Sequence, residues 1–261
     1  MAKKSEGKDN YFKTGIQGLD SLFEFGIPWG KSILIEGSPG TGKTIFCLQL
    51  GYNLCKQGKR VLYMSFEESE DSLREHMQDF GWDPFEMEEK GLLRIKRFSA
   101  IDIARSVEAL LSEAKKELLI ATEAIIFPRD FDPEVVLIDS LTSISSAFSG
   151  EVYRFRIYME QLFRYLENKK IGSFLIKENP MPTHVGVAAY ADQHGTISFL
   201  ADGIICFYNV VYPGGKRGNA MEILKMRGAS FKKITIKTEI ISKKGVVVYF
   251  NQELKGQYNL T

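Results

Sequence analysis

The sequence predicts an α/β fold: a mostly parallel central sheet flanked by helices, extended at its C-terminal end by antiparallel β-hairpins. Three observations predict it. Short apolar runs rich in β-branched residues alternate with helical patterns along most of the chain, as parallel strands covered on both faces must. A glycine-rich loop joins the first such run to the first helix. From about Thr196 onward the helices drop out and strand-like runs follow one another, a pattern expected of hairpins at a sheet edge.

Residues 1–12 read as a flexible, lysine-containing arm, and 13–261 as one domain. After the turn cluster "GIPWG", the run Ser32 to Glu36 is short and apolar and predicts a buried strand. "TIFCLQLGYNLCKQG" then carries apolar residues at helical spacing and stops at Gly58. Arg60 to Phe66 predicts a second strand, closed by Glu67 and Glu68. The helix that follows has Ser69 as its N-cap and Glu70 and Asp71 in its first turn, where acids suit the helix dipole. A long amphipathic helix is expected over 101–125, a proline-marked loop at "FPRDFDP", and a third strand from Glu134 to Ser140 ending on Asp139. A helix over 151–170 with an aromatic and aliphatic face leads to a fourth strand, "IGSFLIKEN". "DGIICFYNV", "NAMEILKMR", "ITIKTEII" and "GVVVYF" are the expected hairpin strands.

A length of 261 residues with 44% hydrophobic content supports a substantial core. The formal charge of +1 gives no global pull toward nucleic acid or anionic membrane. No apolar run approaches the roughly 18 residues of a spanning helix, and the polar N-terminus lacks a signal-peptide core, so no membrane partner and a cytoplasmic location are expected. Cys47, Cys55 and Cys206 sit among apolar neighbours without CxxC spacing, which predicts reduced, buried thiols. His76, His184 and His194 lack ligand spacing.

"GSPGTGKT", Gly37 to Thr44, has the spacing GxxxxGK[ST] directly after a predicted strand and before a helix, the context a phosphate-binding P-loop requires. Backbone N–H groups of Ser38, Pro39, Gly40, Thr41, Gly42, Lys43, Thr44 and Ile45, proline excepted as a donor, are placed to curl around nucleotide phosphates. Lys43 would reach the β and γ phosphates, and the Thr44 hydroxyl would ligate Mg²⁺. Asp139, at a strand end in the same sheet, is expected beside the P-loop in the Mg²⁺ shell. Glu67 and Glu68 end the second strand at the edge where open α/β sheets place ligands, and one of them is expected to orient the attacking water. Lys225 and Arg227 lie at the end of a predicted strand; simple alternation puts them on one face with Ile223, and Glu222, Leu224 and Met226 on the other. Such adjacent like charges pose the question of which anion they meet.

The blocks "KTGIQGLDSLFEFGIPWGKSILIEGSPGTGKT", "VLYMSFEES", "VVLIDSLTSI", "SFLADGIICF" and "MEILKMRGAS" together resemble the KaiC-like branch of the RecA superfamily, over Lys13 to Phe250. The resemblance implies a RecA-like P-loop NTPase core that binds ATP or ADP with Mg²⁺ and hydrolyses ATP. It implies that Glu67 and Glu68 serve hydrolysis. It also implies that Lys225 and Arg227 reach across a subunit boundary to the phosphates of the neighbour's ATP, in a homo-oligomeric ring, expected to be a hexamer, acting as a conformational signalling or regulatory module. The chain departs from the family pattern at Phe25, where a second glycine is usual, and at Lys177, where a neutral sensor of the γ-phosphate is expected, so turnover should be slow. KaiC itself autophosphorylates an adjacent Ser/Thr pair in its second module; here Thr196 and Ser198 are separated by Ile197, and that activity is not carried over.

Two other readings stand beside this one. A DNA-binding ATPase like RecA and RadA, acting in recombination or repair, is suggested by nine Lys or Arg between Lys216 and Lys244 against Glu222 and Glu239. The nearly cation-free stretch from Pro180 to Thr196, where recombinases place a DNA loop, speaks against it. A nucleotide-binding structural subunit without turnover is the third.

Overall fold

The computed structural model describes residues 10–114, 127–128, 130–148, 150–178 and 195–261. Six strands form the parallel body of one sheet: β3 (Ser32–Gly37), β4 (Val61–Ser65), β5 (Leu93–Arg97), β6 (Val135–Asp139), β7 (Gly172–Glu178) and β8 (Gly203–Val211). Their spatial order is β5-β4-β6-β7-β3-β8. Beyond β8 the antiparallel strands β9 (Arg217–Met226), β10 (Ile236–Ile241) and β11 (Gly245–Glu253) continue the sheet, and β12 (Asn259–Leu260) pairs with the far end of β8. The expected α/β fold with a mostly parallel sheet and antiparallel C-terminal strands is therefore what forms.

Each face of the sheet is covered. Helices α1 (Lys43–Lys56), α2 (Glu70–Asp79) and α3 (Pro84–Glu89) pack on one side through Phe46, Leu50, Leu73, Met77 and Met87. The other side holds α4 (Ala100–Ala114), α5 (Leu141–Ala147), α6 (Val152–Asn168) and α7 (Gly195–Leu200). The α6 stripe of Phe155, Tyr158, Met159, Leu162, Phe163 and Leu166 is buried at helical spacing, as its periodicity predicts. Phe46 at the start of α1 meets Phe207 of β8 edge-on, with ring centroids 5.1 Å apart. Such a pair contributes roughly 1 kcal/mol beyond its burial, and here it joins the first turn of α1 to β8.

Three expectations need correction, and one set of elements is new. The predicted arm over 1–12 ends too late: β1 (Tyr11–Phe12) pairs with β2 (Ile27–Pro28), and Phe12 packs against Trp29 with centroids 4.5 Å apart; residues 1–9 lie outside the described ones. "DGIICFYNV" is not a hairpin strand on its β3 side, since β8 runs parallel to β3; its unbroken apolar run is the mark of a strand covered on both faces. The segments 84–89, 93–97 and 141–147 form elements that the sequence pattern does not announce. Finally, the register between β8 and β9 jumps from Ile204↔Lys225 to Ile205↔Ile223, leaving Leu224 as a bulge. A bulge re-phases strand alternation. Lys225 therefore joins Glu222 and Leu224 on the α6–α7 face, while Met226 rejoins Ile223 on the α1 face. The helix expected over 101–125 is described as far as Ala114, and the stretch Pro180 to Thr196 lies outside the described residues up to 194.

Candidate functional site

Parallel strands in register end together, so one edge of the sheet collects the C-terminal residues of four of them. Ser65 is level with Asp139, and Gly37 with Glu178. The phosphate loop follows β3. Its glycines are there for backbone reasons: Gly42 has φ of 92°, and a side chain at Gly37 would stand 2.5 Å from the Phe207 carbonyl. Thr41 closes the loop by donating to the Ser38 carbonyl at 2.8 Å. Ser38 is buried, Pro39 and Gly40 are exposed at the tip, and Ile45 packs its side chain onto the α1-side core.

Lys43 is the one cation of the loop, and its ammonium is folded back onto the loop, donating at 2.9 Å to the carbonyls of Gly37 and Ser38. Burial lowers its pKa, while Glu178, Asp139 and Glu67 act to raise it. Thr44 donates to Asp139 Oδ2 at 2.9 Å, so two residues from distant parts of the chain meet as expected. The same oxygen accepts from Tyr63 Oη at 2.7 Å. Burial pushes the Asp139 carboxyl up, against the hydrogen bonds from Tyr63 and Thr44, which pull it down. The Asp139–Ser140 peptide bond is cis.

Glu67 and Glu68 diverge, as successive residues leaving a strand do. Glu67 Oε1 accepts from Ser140 Oγ at 2.5 Å and Ser143 Oγ at 2.7 Å, which aims it at the turn that carries Asp139. Glu68 turns into α2: Oε2 accepts from Ser72 Oγ at 2.8 Å and lies 3.4 Å from His76 Nδ1.

A magnesium ion fits this donor set. Mg²⁺ takes one or two carboxylates plus hydroxyl, water and phosphate oxygens in place of a protein cage. Thr44 and Asp139 supply one hydroxyl and one buried carboxylate already in contact, and no cluster of three His, Cys, Asp or Glu able to hold a metal occurs among the described residues.

Lys177 is not where a γ-phosphate sensor would stand. It points to the α6–α7 face, with its ammonium 3.8 Å from Glu36 Oε1, and both side chains are buried. Lys225 and Arg227 occupy that same face. Lys225 donates to the carbonyls of Ser198 at 3.1 Å, Phe199 at 3.3 Å and Ala201 at 2.6 Å; Arg227 donates to Phe199 at 3.3 Å and lies 3.7 Å from Asp202. Burial and the neighbouring guanidinium lower the Lys225 pKa. Within one chain, then, the two cations grip the end of α7, on the opposite face of the sheet from α1.

The nine cations from Lys216 to Lys244 do not form one stripe. Lys237 pairs with Glu239 at 2.6 Å, Lys225 and Arg227 hold α7, and Lys232 lies over the Phe250 ring at 5.8 Å, on a different strand connection from Lys216. Sequence reading misses Tyr63, Ser140, Ser143, Glu178, Gln49 and Glu36. Only a polar residue inside an apolar strand run could flag Tyr63 and Glu36. Gln49 brackets the β10–β11 turn, accepting from Val246 N at 2.8 Å and donating to the Lys244 carbonyl at 3.0 Å.

A phosphate loop after a central parallel strand, an acid at the end of β6 with β7 between, and antiparallel strands at the end of the sheet define a P-loop ATPase of the RecA superfamily. The chain belongs to the KaiC ATPase family: the family described as "ATPase: KaiC" matches residues 12–253. A UPF0273 protein of Pyrococcus horikoshii, whose name states no activity, is 30% identical over 249 residues, covering 93% of this chain and 95% of that one. The circadian clock oscillator protein KaiC of Synechococcus elongatus is 28% identical over 224 residues, 85% of this chain but 41% of its own length. Among solved structures, a KaiC-like protein of Pyrococcus horikoshii superposes with a TM-score of 0.71 at 26% identity, over 92% of this chain and 98% of that one. No helix among the described residues is long and apolar enough to cross a membrane.

Proposed function

We propose that this chain binds and slowly hydrolyses ATP at the boundary between two copies of itself in a cytoplasmic homo-oligomeric ring, read as a hexamer, whose nucleotide state serves as a conformational signal. The observation that carries the reading is the meeting of Lys43, Thr44, Asp139 and Glu67 at one sheet edge. Loop amides and the α1 N-terminus would cradle the phosphates, and Lys43 would exchange its two carbonyl partners for β and γ oxygens. Thr44 and Asp139 would hold Mg²⁺, which neutralises charge on the β and γ phosphates when bound. Of the two glutamates, Glu67 is assigned to the attacking water. The serine hydroxyls at Ser140 and Ser143 hold its carboxylate near Asp139, whereas Glu68 is spent on α2.

Lys225 and Arg227 are assigned to the neighbour's triphosphate, as charges that stabilise the transferring phosphoryl group from outside the chain. Their anchorage on α7, away from the chain's own α1, supports that assignment. A head-to-tail contact of this kind closes into a ring when its rotation divides a full turn and otherwise builds an open helical filament; the closed ring is the form proposed here.

Phosphate release tests the chemistry. Glu67→Gln is expected to lower turnover roughly 10²- to 10⁴-fold with nucleotide binding retained, and Glu68→Gln much less. Equal, near-background rates in the parent and both variants would remove the enzyme claim. A strictly monomeric protein in the presence of magnesium and ATP would remove the shared site.

A further inference from the structure

Glu36 is the last residue before the phosphate loop's first glycine, and it is a carboxylate buried to 3% exposure in the middle of the sheet. Burying a charge costs several kcal/mol unless partners compensate, so its partners identify what it is for. Lys177, directly opposite in the β3–β7 register, supplies a countercharge at 3.8 Å. Ser198 of α7 supplies a direct hydrogen bond, donating from Oγ to Glu36 Oε1 at 3.1 Å. On its other side, the Ser198 carbonyl accepts from Lys225 at 3.1 Å, and the next carbonyl, Phe199, accepts from both Lys225 and Arg227.

An unbroken path therefore runs through one chain. Lys43 holds the Gly37 carbonyl, Gly37 is bonded to Glu36, Glu36 holds Ser198, and Ser198 and Phe199 hold the two cations. One end is the grip on the chain's own nucleotide. The other is the pair of charges assigned above to the neighbour's nucleotide, and this inference rests on that assignment. When a triphosphate takes Lys43, the Gly37 carbonyl loses its ammonium, and β3 and α7 lie between that event and Lys225.

We propose that Ser198 is a positioning residue that couples the two half-sites: through Glu36 and Lys177 it sets where α7 presents Lys225 and Arg227 according to whether the chain's own loop is occupied. It touches no substrate itself. It acts through the cations.

Five proteins decide it: the parent, Ser198→Ala, Arg227→Ala, the double variant and Ser198→Thr, the last as the conservative control. Each is assayed for ATP turnover against ATP concentration and for binding of a fluorescent ATP analogue. Ser198→Ala is expected to lose roughly five- to tenfold in kcat, the factor set by one hydrogen bond, with KM and analogue binding changed by less than about twofold. Ser198→Thr, which keeps the hydroxyl, is expected to restore kcat. In the Arg227→Ala background the Ser198→Ala effect should shrink, because one of the two charges that Ser198 positions is gone and Lys225 alone remains on its carbonyl. Additive losses, or a Ser198→Ala protein with parental kcat while Arg227→Ala is impaired, overturn the coupling and leave the shared site standing. Parental turnover in Arg227→Ala overturns the shared site and this inference with it. A fall in kcat that tracks a lowered melting temperature and is equal in both backgrounds assigns Ser198 a purely structural role, which also overturns the proposal.

Discussion

Tyr63→Phe removes a single oxygen from the interior of β4. The ring is 1% exposed, and its hydroxyl donates to Asp139 Oδ2 at 2.7 Å. Burial and the adjacent carboxylate push the phenol pKa well up, so the hydroxyl remains a neutral donor throughout the working range. The substitution leaves no cavity beyond that oxygen, and the loss is that of one buried hydrogen bond to a charged acceptor, about 1.5–3 kcal/mol. For a chain of this length that lowers the melting temperature by roughly 3–12 °C.

The pH dependence has a definite sign. Burial raises the Asp139 pKa, so this group favours the nucleotide-free fold at acid pH, and that contribution is lost as pH rises through the raised value. The Tyr63 bond works against the raise; without it the carboxyl goes higher still. The difference in stability between parent and Tyr63→Phe should therefore be small on the acid side, where Asp139 is protonated in both, and grow as pH passes the raised value. Because Tyr63 also orients the Asp139 oxygen shared with Thr44, the Mg²⁺ concentration for half-maximal turnover should rise about 10- to 100-fold. Urea unfolding at several pH values and a magnesium titration of phosphate release provide the measurements. A destabilisation independent of pH, or an unchanged magnesium requirement, would refute the assignment of Tyr63 as the support of a metal-binding Asp139.

Lys177→Met leaves Glu36 buried without its countercharge and is expected to cost about 3–5 kcal/mol by urea unfolding, much of it recovered when Glu36→Gln is added; a sensor of the γ-phosphate would instead lose turnover without losing stability. Gly42→Ala forces a φ of 92° on an L side chain and brings its Cβ within 2.6 Å of Ile240 Cδ1, costing about 1–3 kcal/mol by thermal melting. Since the flexible end of Ile240 can yield, Ile240→Ala is expected to recover little of that loss.

The phosphate loop is legible because its chemistry is local: spacing, glycine and the flanking strand and helix all lie within one short segment. Asp139 is legible because a carboxylate that ends an unbroken apolar run, in a chain that also carries a phosphate loop, falls at the sheet edge where that loop opens. Partners across the sheet are not. Tyr63 sits inside a run that reads as core and Glu36 ends one, and only strand register reveals that one faces Asp139 and the other Lys177. Simple alternation puts Lys225 on the wrong face because it runs straight through Leu224; a bulge is a property of pairing between β8 and β9, and no residue in "MEILKMRG" announces it. β5 escapes notice for a related reason. "LRIKR" alternates as an edge strand should, but three polar residues in five hide a segment whose burial is supplied by β4 on one side only.

The charges explain why two copies would be needed. Around Lys43 stand Glu178, Asp139 and Glu67, three carboxylates close enough to act on its ammonium. A magnesium-bound triphosphate still carries roughly two negative charges, and among the described residues the phosphate loop offers it one ammonium, with three carboxylates beside it. The helix N-terminus and loop amides supply dipoles, equivalent to about half an elementary charge, which does not close that gap. Lys225 and Arg227 are further cations, but β8 and β3 stand between them and α1, and α7 holds them there. Within one chain they contact α7 and Asp202 on the face away from α1. On the reading proposed here, that separation is what links nucleotide binding to assembly: each copy carries an acid-rich cradle on one face and its missing positive charge on the other, so only a neighbour completes the site, and occupancy and ring closure each raise the affinity of the other.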